Sequence, residues 1–155
     1  MDYIKQEGPW VEGFVIKLDS QLKSKSNFRR GSNWSKYVKY EKDLALTIKE
    51  VLPYTWDLGS RDNTINERPK VVIQIVAESL IDTGNLSKSV LDALEGVLYH
   101  NDASVVAVAS MSIRKKKGYT YIGVARLRPD ASFEEVQNAV RELNIRCTDV
   151  CIKIN

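Results

Sequence analysis

One histidine, two cysteines and no long apolar run set the first limits on this chain of 155 residues. His100 is the sole imidazole, so a Ser–His or Cys–His nucleophile pair has one residue to draw on, and no serine elbow stands near it. It lies in a polar stretch and reads as a surface histidine. Cys147 and Cys151 are four apart. Without a second ligand pair that spacing suits zinc poorly, and both read as reduced structural thiols. A Gly-rich phosphate loop and an HExxH helix are also absent. No apolar run approaches the ~20 residues that span a bilayer. The first residues, MDYIKQEG, lack the basic start and apolar segment of a signal peptide. A cytoplasmic setting with no membrane partner is the expectation.

What remains is an ordinary globular composition, 43% hydrophobic and 28% charged, which fits one domain over residues 1–155. The net charge is only +3, but it is unevenly spread. Lys17, Lys23, Lys25, Arg29, Arg30, Lys36, Lys39 and Lys42 form one basic stretch, against Asp19 and Glu41. Arg114, Lys115, Lys116 and Lys117 form a second. Each alone is commonly a solvated surface. Two together suit a polyanion bound through phosphate contacts and counterion release. Lys23, Lys25, Arg29 and Arg30 sit in a Ser- and Asn-rich loop that suits an arm along a phosphate backbone.

Hydrophobic periodicity gives the layout. Phe14 to Leu18 reads as a short strand, Trp34 to Leu52 as a helix, and Tyr54 to Lys70 as a polar connector tacked down by Trp56 and Ile65. Val71 to Ala77 is nearly continuous and β-branched, the pattern of a strand buried on both faces. Asn85 to Leu98 carries an apolar stripe of Leu86, Val90, Leu91, Leu94, Val97 and Leu98. Val105 to Ile113 and Tyr119 to Leu127 read as strands joined by a basic hairpin tip. Pro129 to Asn144 reads as a helix with a Ser132–Glu135 capping box and a buried face that includes Phe133. Cys147 to Ile154 reads as a terminal edge strand. The fold class is α+β (mixed α/β), a single mixed sheet with helices packed against it.

The chemistry left to such a chain is that of carboxylates. Magnesium takes oxygen ligands and can be held by one or two carboxylates plus substrate phosphate, where it activates water. A nearby lysine stabilises the same developing charge. Asp82, Lys88 and Asp102 are of the right types. The residues alone leave a plainer alternative open, in which Asp82 caps a helix, Lys88 pairs with Asp92, and Asp102 makes an Asx turn.

The stretch Asp82-Thr83-Gly84-Asn85-Leu86-Ser87-Lys88, then Val90-Leu91-Asp92-Ala93-Leu94, then Asn101-Asp102-Ala103-Ser104-Val105, resembles the signature of RusA-type Holliday-junction resolvases. That signature reads D-x-D-N-L-x-K, then L-D-A-L, then D-D-x-Q-V. The close match covers about 25 residues, and the rest agrees in layout. The resemblance implies a RusA-like fold and a homodimeric, Mg²⁺-dependent endonuclease (with Mn²⁺ as an alternative ion). It would nick four-way DNA junctions in a bacterial or phage-infected cell. Carried across, Asp82 and Asp102 are the metal ligands and, with Lys88, the catalytic residues. Asn85 and Asp92 match positions read as structural. Lys23, Lys25, Arg29, Arg30 and Arg114 to Lys117 are the DNA-binding residues.

Three positions depart from the signature. Gly84 stands for its second aspartate, Asn101 for the first of the D-D pair, and Ser104 for its glutamine. Loss of a carboxylate removes both charge and a ligand, with Glu78 and Asp92 as candidates to replace it. Two functional expectations follow, a junction-cutting nuclease weakened or silenced at Gly84, and a junction-binding protein that does not cut. An α+β interaction protein with none of this chemistry is the third.

Overall fold

Val71 to Ala77 is the strand on which both faces of the protein are built. The computed structural model describes residues 2–4, 10–19, 32–52, 56, 58–116 and 118–154. Its elements are β1 (Asp2–Ile4), β2 (Trp10–Leu18), α1 (Ser32–Val51), β3 (Lys70–Glu78), α2 (Thr83–Leu94), β4 (Val105–Ile113), β5 (Thr120–Leu127) and α3 (Phe133–Ile154). Short 3-10 turns lie at Ile65–Glu67 and Asp102–Ser104. The five strands form one mixed sheet in the order β1-β2-β5-β3-β4. Only β3 and β4 pair in parallel; the other pairs are antiparallel. The α+β class expected from the sequence is the one found.

The period-two alternation of β3 sorts its side chains between two cores. Val71, Ile73, Ile75 and Ala77 pack with Ile48 of α1 and with Leu86, Val90 and Leu94 of α2. Val72 and Val76 pack on the other face with Ala139, Leu143 and Cys147 of α3. Helices therefore cover both faces of the sheet. That is why β3, flanked by β5 and β4, is buried on both faces. Among the described residues no helix is long and apolar enough to cross a membrane.

Several expectations are corrected. The segment Cys147 to Ile154 is not an edge strand but the last turns of α3, which starts at Phe133 rather than Pro129. Cys147 falls four residues after Leu143, on the buried side of that helix, and the helical spacing simply continues. Phe133 is 78% exposed and does not line the buried face. Ser132 still caps, accepting from the Glu135 backbone N–H at 3.2 Å. The second helix ends at Leu94 rather than Leu98, because Gly96 turns the chain with φ of 82°. Leu98 nevertheless remains in the core. Trp56 does tack its connector down, donating to the Leu98 carbonyl at 3.2 Å and packing edge-on against Phe14. Ile65 is exposed and does not. His100 is half-buried rather than a surface group, its ring hydrogen-bonded to the Gly59 carbonyl at 2.6 Å. β1 was not expected at all.

Cys147 has a packing role that explains Gly123. A Cβ at Gly123 would lie 2.7 Å from Cys147 Sγ and 3.2 Å from Leu143 Cδ2. The absence of a side chain on β5 lets α3 seat against the sheet. Gly123→Ala is expected to destabilise the protein by about 1–3 kcal/mol, the usual cost of overpacking. Cys147→Ala in the same chain should recover part of that loss, since it removes the clashing sulfur. Urea unfolding of the two single variants and the double variant measures the coupling.

Candidate active site

One end of the sheet gathers most of the polar chemistry. Leu18 opposes Thr120, Thr120 opposes Ala77, and Glu78 opposes Ile113. The C-terminal ends of β2, β3 and β4 and the start of β5 thus meet at one edge, here called the upper end. The loop into α2 and the Arg114–Tyr119 hairpin both leave from it. The basic stretch after Asp19 also begins there, but Lys23, Lys25, Arg29 and Arg30 lie outside the described residues, as does Lys117.

Asp82 stands at the N-cap of α2. Its Oδ1 accepts from the Asn85 backbone N–H at 2.9 Å, and its Oδ2 accepts from the Asn85 side-chain amide at 2.6 Å. These two bonds from Asn85 hold the carboxyl below the usual carboxylate range. Asn85 therefore orients Asp82 as well as starting the helix. The cap expected from the residues alone is real, and it leaves lone pairs on both oxygens for another ligand. Gly84, one turn before the exposed Lys88 on the same helix face, has open space around it. A Cβ there would meet only Asp82 Oδ1, at 3.4 Å. Leu80, Ile81, Asp82, Thr83, Ser112 and Arg114 line a pocket beside this cap.

Glu78, at the end of β3, is 3% exposed. It forms an ion pair with Lys115 Nζ at 3.5 Å, and its Oε2 accepts from the Tyr119 backbone N–H at 3.2 Å. A Cβ at Gly118 would collide with it. Glu78 is thus the anchor of the basic hairpin, and Lys115 is committed to that anchor. Arg114 and Lys116 are exposed. The ammonium of Lys17 lies 3.6 Å over the Tyr119 ring, adding a cation to this end. The sequence offered no signal for the Lys17–Tyr119 contact, because it joins strands far apart in the chain.

Asp102 is elsewhere. It opens the 3-10 turn before β4, with Val105 opposite Val71 at the lower end of the sheet. The Asx-type bond expected of Asp102 is made by Asn101, whose Oδ1 accepts from the Ala103 backbone N–H at 2.8 Å. At ~3.3 Å per residue, the length of β4 separates the levels of Asp82 and Asp102 by roughly 25 Å. Among the described residues no three carboxylate, imidazole or thiol groups gather to hold a metal. Within one chain, Asp82 and Asp102 are therefore too far apart to share one divalent ion.

The family model of endodeoxyribonuclease RusA matches residues 32–125, well over half of the chain. No curated protein matches it. The matched span holds Asp82, Lys88, Asp102 and the basic hairpin tip.

Two outcomes test this geometry. Asp82 has a depressed carboxyl, so its cap contributes above the ordinary aspartate pKa of ~3.9 and fades as pH falls through its lower folded value. The melting-temperature gap between the parent and Asp82→Ala should be full at neutral pH and close in acid. Gly84→Asp should fold and gain about 0.5 kcal/mol. It replaces a helical glycine and puts a negative charge in the first turn, against some repulsion from Asp82. Thermal melts measure both.

Proposed function

Because this chain belongs to the RusA endodeoxyribonuclease family, we propose that it acts on four-way DNA junctions as a structure-selective endodeoxyribonuclease in recombination or repair. The observation that carries the reading is the coincidence of the first part of the signature, from Asp82 on, with one cation-rich end of the sheet. There an ionised, doubly hydrogen-bonded Asp82 stands beside Arg114, with Lys88 further along α2. Arg114, Lys116 and Lys88 would take phosphate oxygens, with the arm of Lys23, Lys25, Arg29 and Arg30 extending that surface. Lys115 contributes indirectly, by holding the hairpin to Glu78.

A homodimer resolves the separation of the two aspartates. β4 is an edge strand, with β3 on one side and no strand on the other among the described residues. Its sequence, VVAVASMSI, contains no charge and no proline, the usual guards of an exposed edge. Val106, Val108 and Met111 are exposed along it, and Met111 shares a groove with Phe133, Val136 and Val140. A two-fold axis across β4 makes an antiparallel, isologous pair. It would bring the partner's Asp102 to the upper end, toward Arg114 and Asp82. Asp82 and the partner's Asp102 are then the residues that would hold Mg²⁺ or Mn²⁺. Such an ion supplies an activated water and neutralises charge on the phosphodiester. Lys88, further along α2, would meet developing negative charge.

Gly84 favours a second reading, in which the chain binds junctions without cutting them. The two are separable with a labelled four-way junction. Binding in chelator should weaken with salt, and Arg114→Ala should lower the log–log slope by ~0.9, the share of one phosphate contact. Gly84→Asp should raise nicking in Mg²⁺ or Mn²⁺ above the parent. Binding by both proteins with no nicking by either leaves the binder reading.

The dimer makes its own forecast, best read in the Gly84→Asp background. Asp82→Asn and Asp102→Asn chains should each be inactive alone. Mixed and allowed to exchange, they should regain roughly a quarter of the nicking, since random pairing leaves one intact site in each mixed dimer. A mixture no more active than its components would place both aspartates in one chain's site and remove the β4 pairing.

A further inference from the structure

Leu80 is 64% exposed, yet it sits in a part of the chain with little freedom. Its neighbours are fixed on both sides. The Ser79 backbone N–H donates to the Ile113 carbonyl at 3.1 Å, and the Ser79 carbonyl accepts from Ser112 Oγ at 2.9 Å. The Ile81 N–H donates to Ser79 Oγ at 3.0 Å, closing a tight turn around Leu80. Ile81 then packs against the core on the α1–α2 side, and Asp82 is locked by Asn85. The turn sends Ile81 inward and Leu80 outward, and these bonds fix the backbone that presents the leucine.

Its surroundings separate it from the other exposed apolar residues. Val106, Val108, Met111 and Phe133 lie along β4 and the groove beside it. Leu80 lines the pocket of Asp82, Thr83, Ser112 and Arg114, two residues from the cap carboxylate. A rigidly presented aliphatic side chain beside an exposed cation, here Arg114, has a known use on DNA. Leu, Ile, Met, Phe and Pro wedges enter base steps, unstack them and bend the helix. A branch point is where that costs least, because its stacking is already interrupted.

We propose that Leu80 is an apolar wedge that enters between bases at the branch point of a bound junction and so sets the preference for junction over duplex. This rests on the junction-binding reading above, whether or not the chain cuts. Cations would hold the phosphates while Leu80 replaces a lost base–base contact, opening the strand beside Asp82. On unbranched DNA the same side chain would have to break an intact stack, so it opposes binding there. Leu80 is accordingly a positioning residue and touches no reacting atom.

The test uses the full chain and four-way junctions carrying 2-aminopurine at the branch or in the middle of an arm, in chelator. The parent should raise fluorescence at the branch and leave the arm unchanged. Leu80→Ala should lose most of that rise and reduce the junction-over-duplex affinity ratio roughly tenfold, in the range of one lost stacking contact. Leu80→Met should keep both. Equal fluorescence and an equal affinity ratio for Leu80→Ala and the parent would overturn the wedge. So would a change in sedimentation of Leu80→Ala, which would assign the leucine to a contact between copies. A parent that binds junctions without unstacking the branch removes the wedge alone. A parent that shows no junction preference removes the junction reading with it.

Discussion

The parallel pairing of β3 with β4 is the constraint on which the rest of this structure depends. A parallel pair needs a crossover, and α2 supplies it by running back down the sheet. Whatever follows β3 must then lie at one end, and whatever precedes β4 at the other. Asp82 and Asp102 are on opposite sides of that rule, close in sequence and far apart in space. No adjustment of loops within one chain brings them together. Among the described residues β4 also lies at the margin of the sheet, with no strand beyond it.

Electrostatics at the upper end are graded rather than uniformly positive. Glu78 is a buried carboxylate, and such a charge is tolerated only when paired and hydrogen-bonded. Lys115 and the Tyr119 N–H meet that need, which turns one member of a basic run into a strut. Arg114 and Lys116 on either side stay exposed. Counting lysines and arginines along the chain therefore overstates the charge available to a phosphate backbone, by the amount spent on holding the hairpin. Asp82 shows the reverse economy: a surface carboxylate whose ionised form is secured by a single neighbouring asparagine.

The class of fold and the central strand were legible in the sequence because burial on both faces writes itself as a nearly continuous β-branched run. Val71 to Ala77 could hardly be anything else. The cap at Asp82 was equally legible, since an aspartate three residues before an asparagine at a helix start is a local pattern. Other features were not. Helix continuation through Cys147 was hidden, because a β-rich ending such as CIKIN satisfies a strand pattern locally and yields only to packing against Gly123. Phe133 was assigned inward by its spacing, yet it precedes the residues that reach the sheet. The separation of Asp82 from Asp102 required strand direction, which residue spacing does not encode. Asn101 and Asp102 exchanged roles for a simpler reason: either can accept from the backbone two residues on.

The pairing of β2 with β5 carries a consequence for how this surface comes into being. Leu18 finds its partner in Thr120, and Trp10 in Leu127, so the first long strand has no place in the sheet until most of the chain exists. On a ribosome, α1, β3 and α2 emerge well before β5 and β4 just ahead of it, while β2 waits for its partner. Contacts of such sequence separation are the slow ones to form, and chains that delay them need protection from collapse or association in the interval. The cation-rich end includes the tips of that late-meeting pair, Leu18 and Thr120. A partly made chain would hold the signature helix but no finished surface on which to lay DNA.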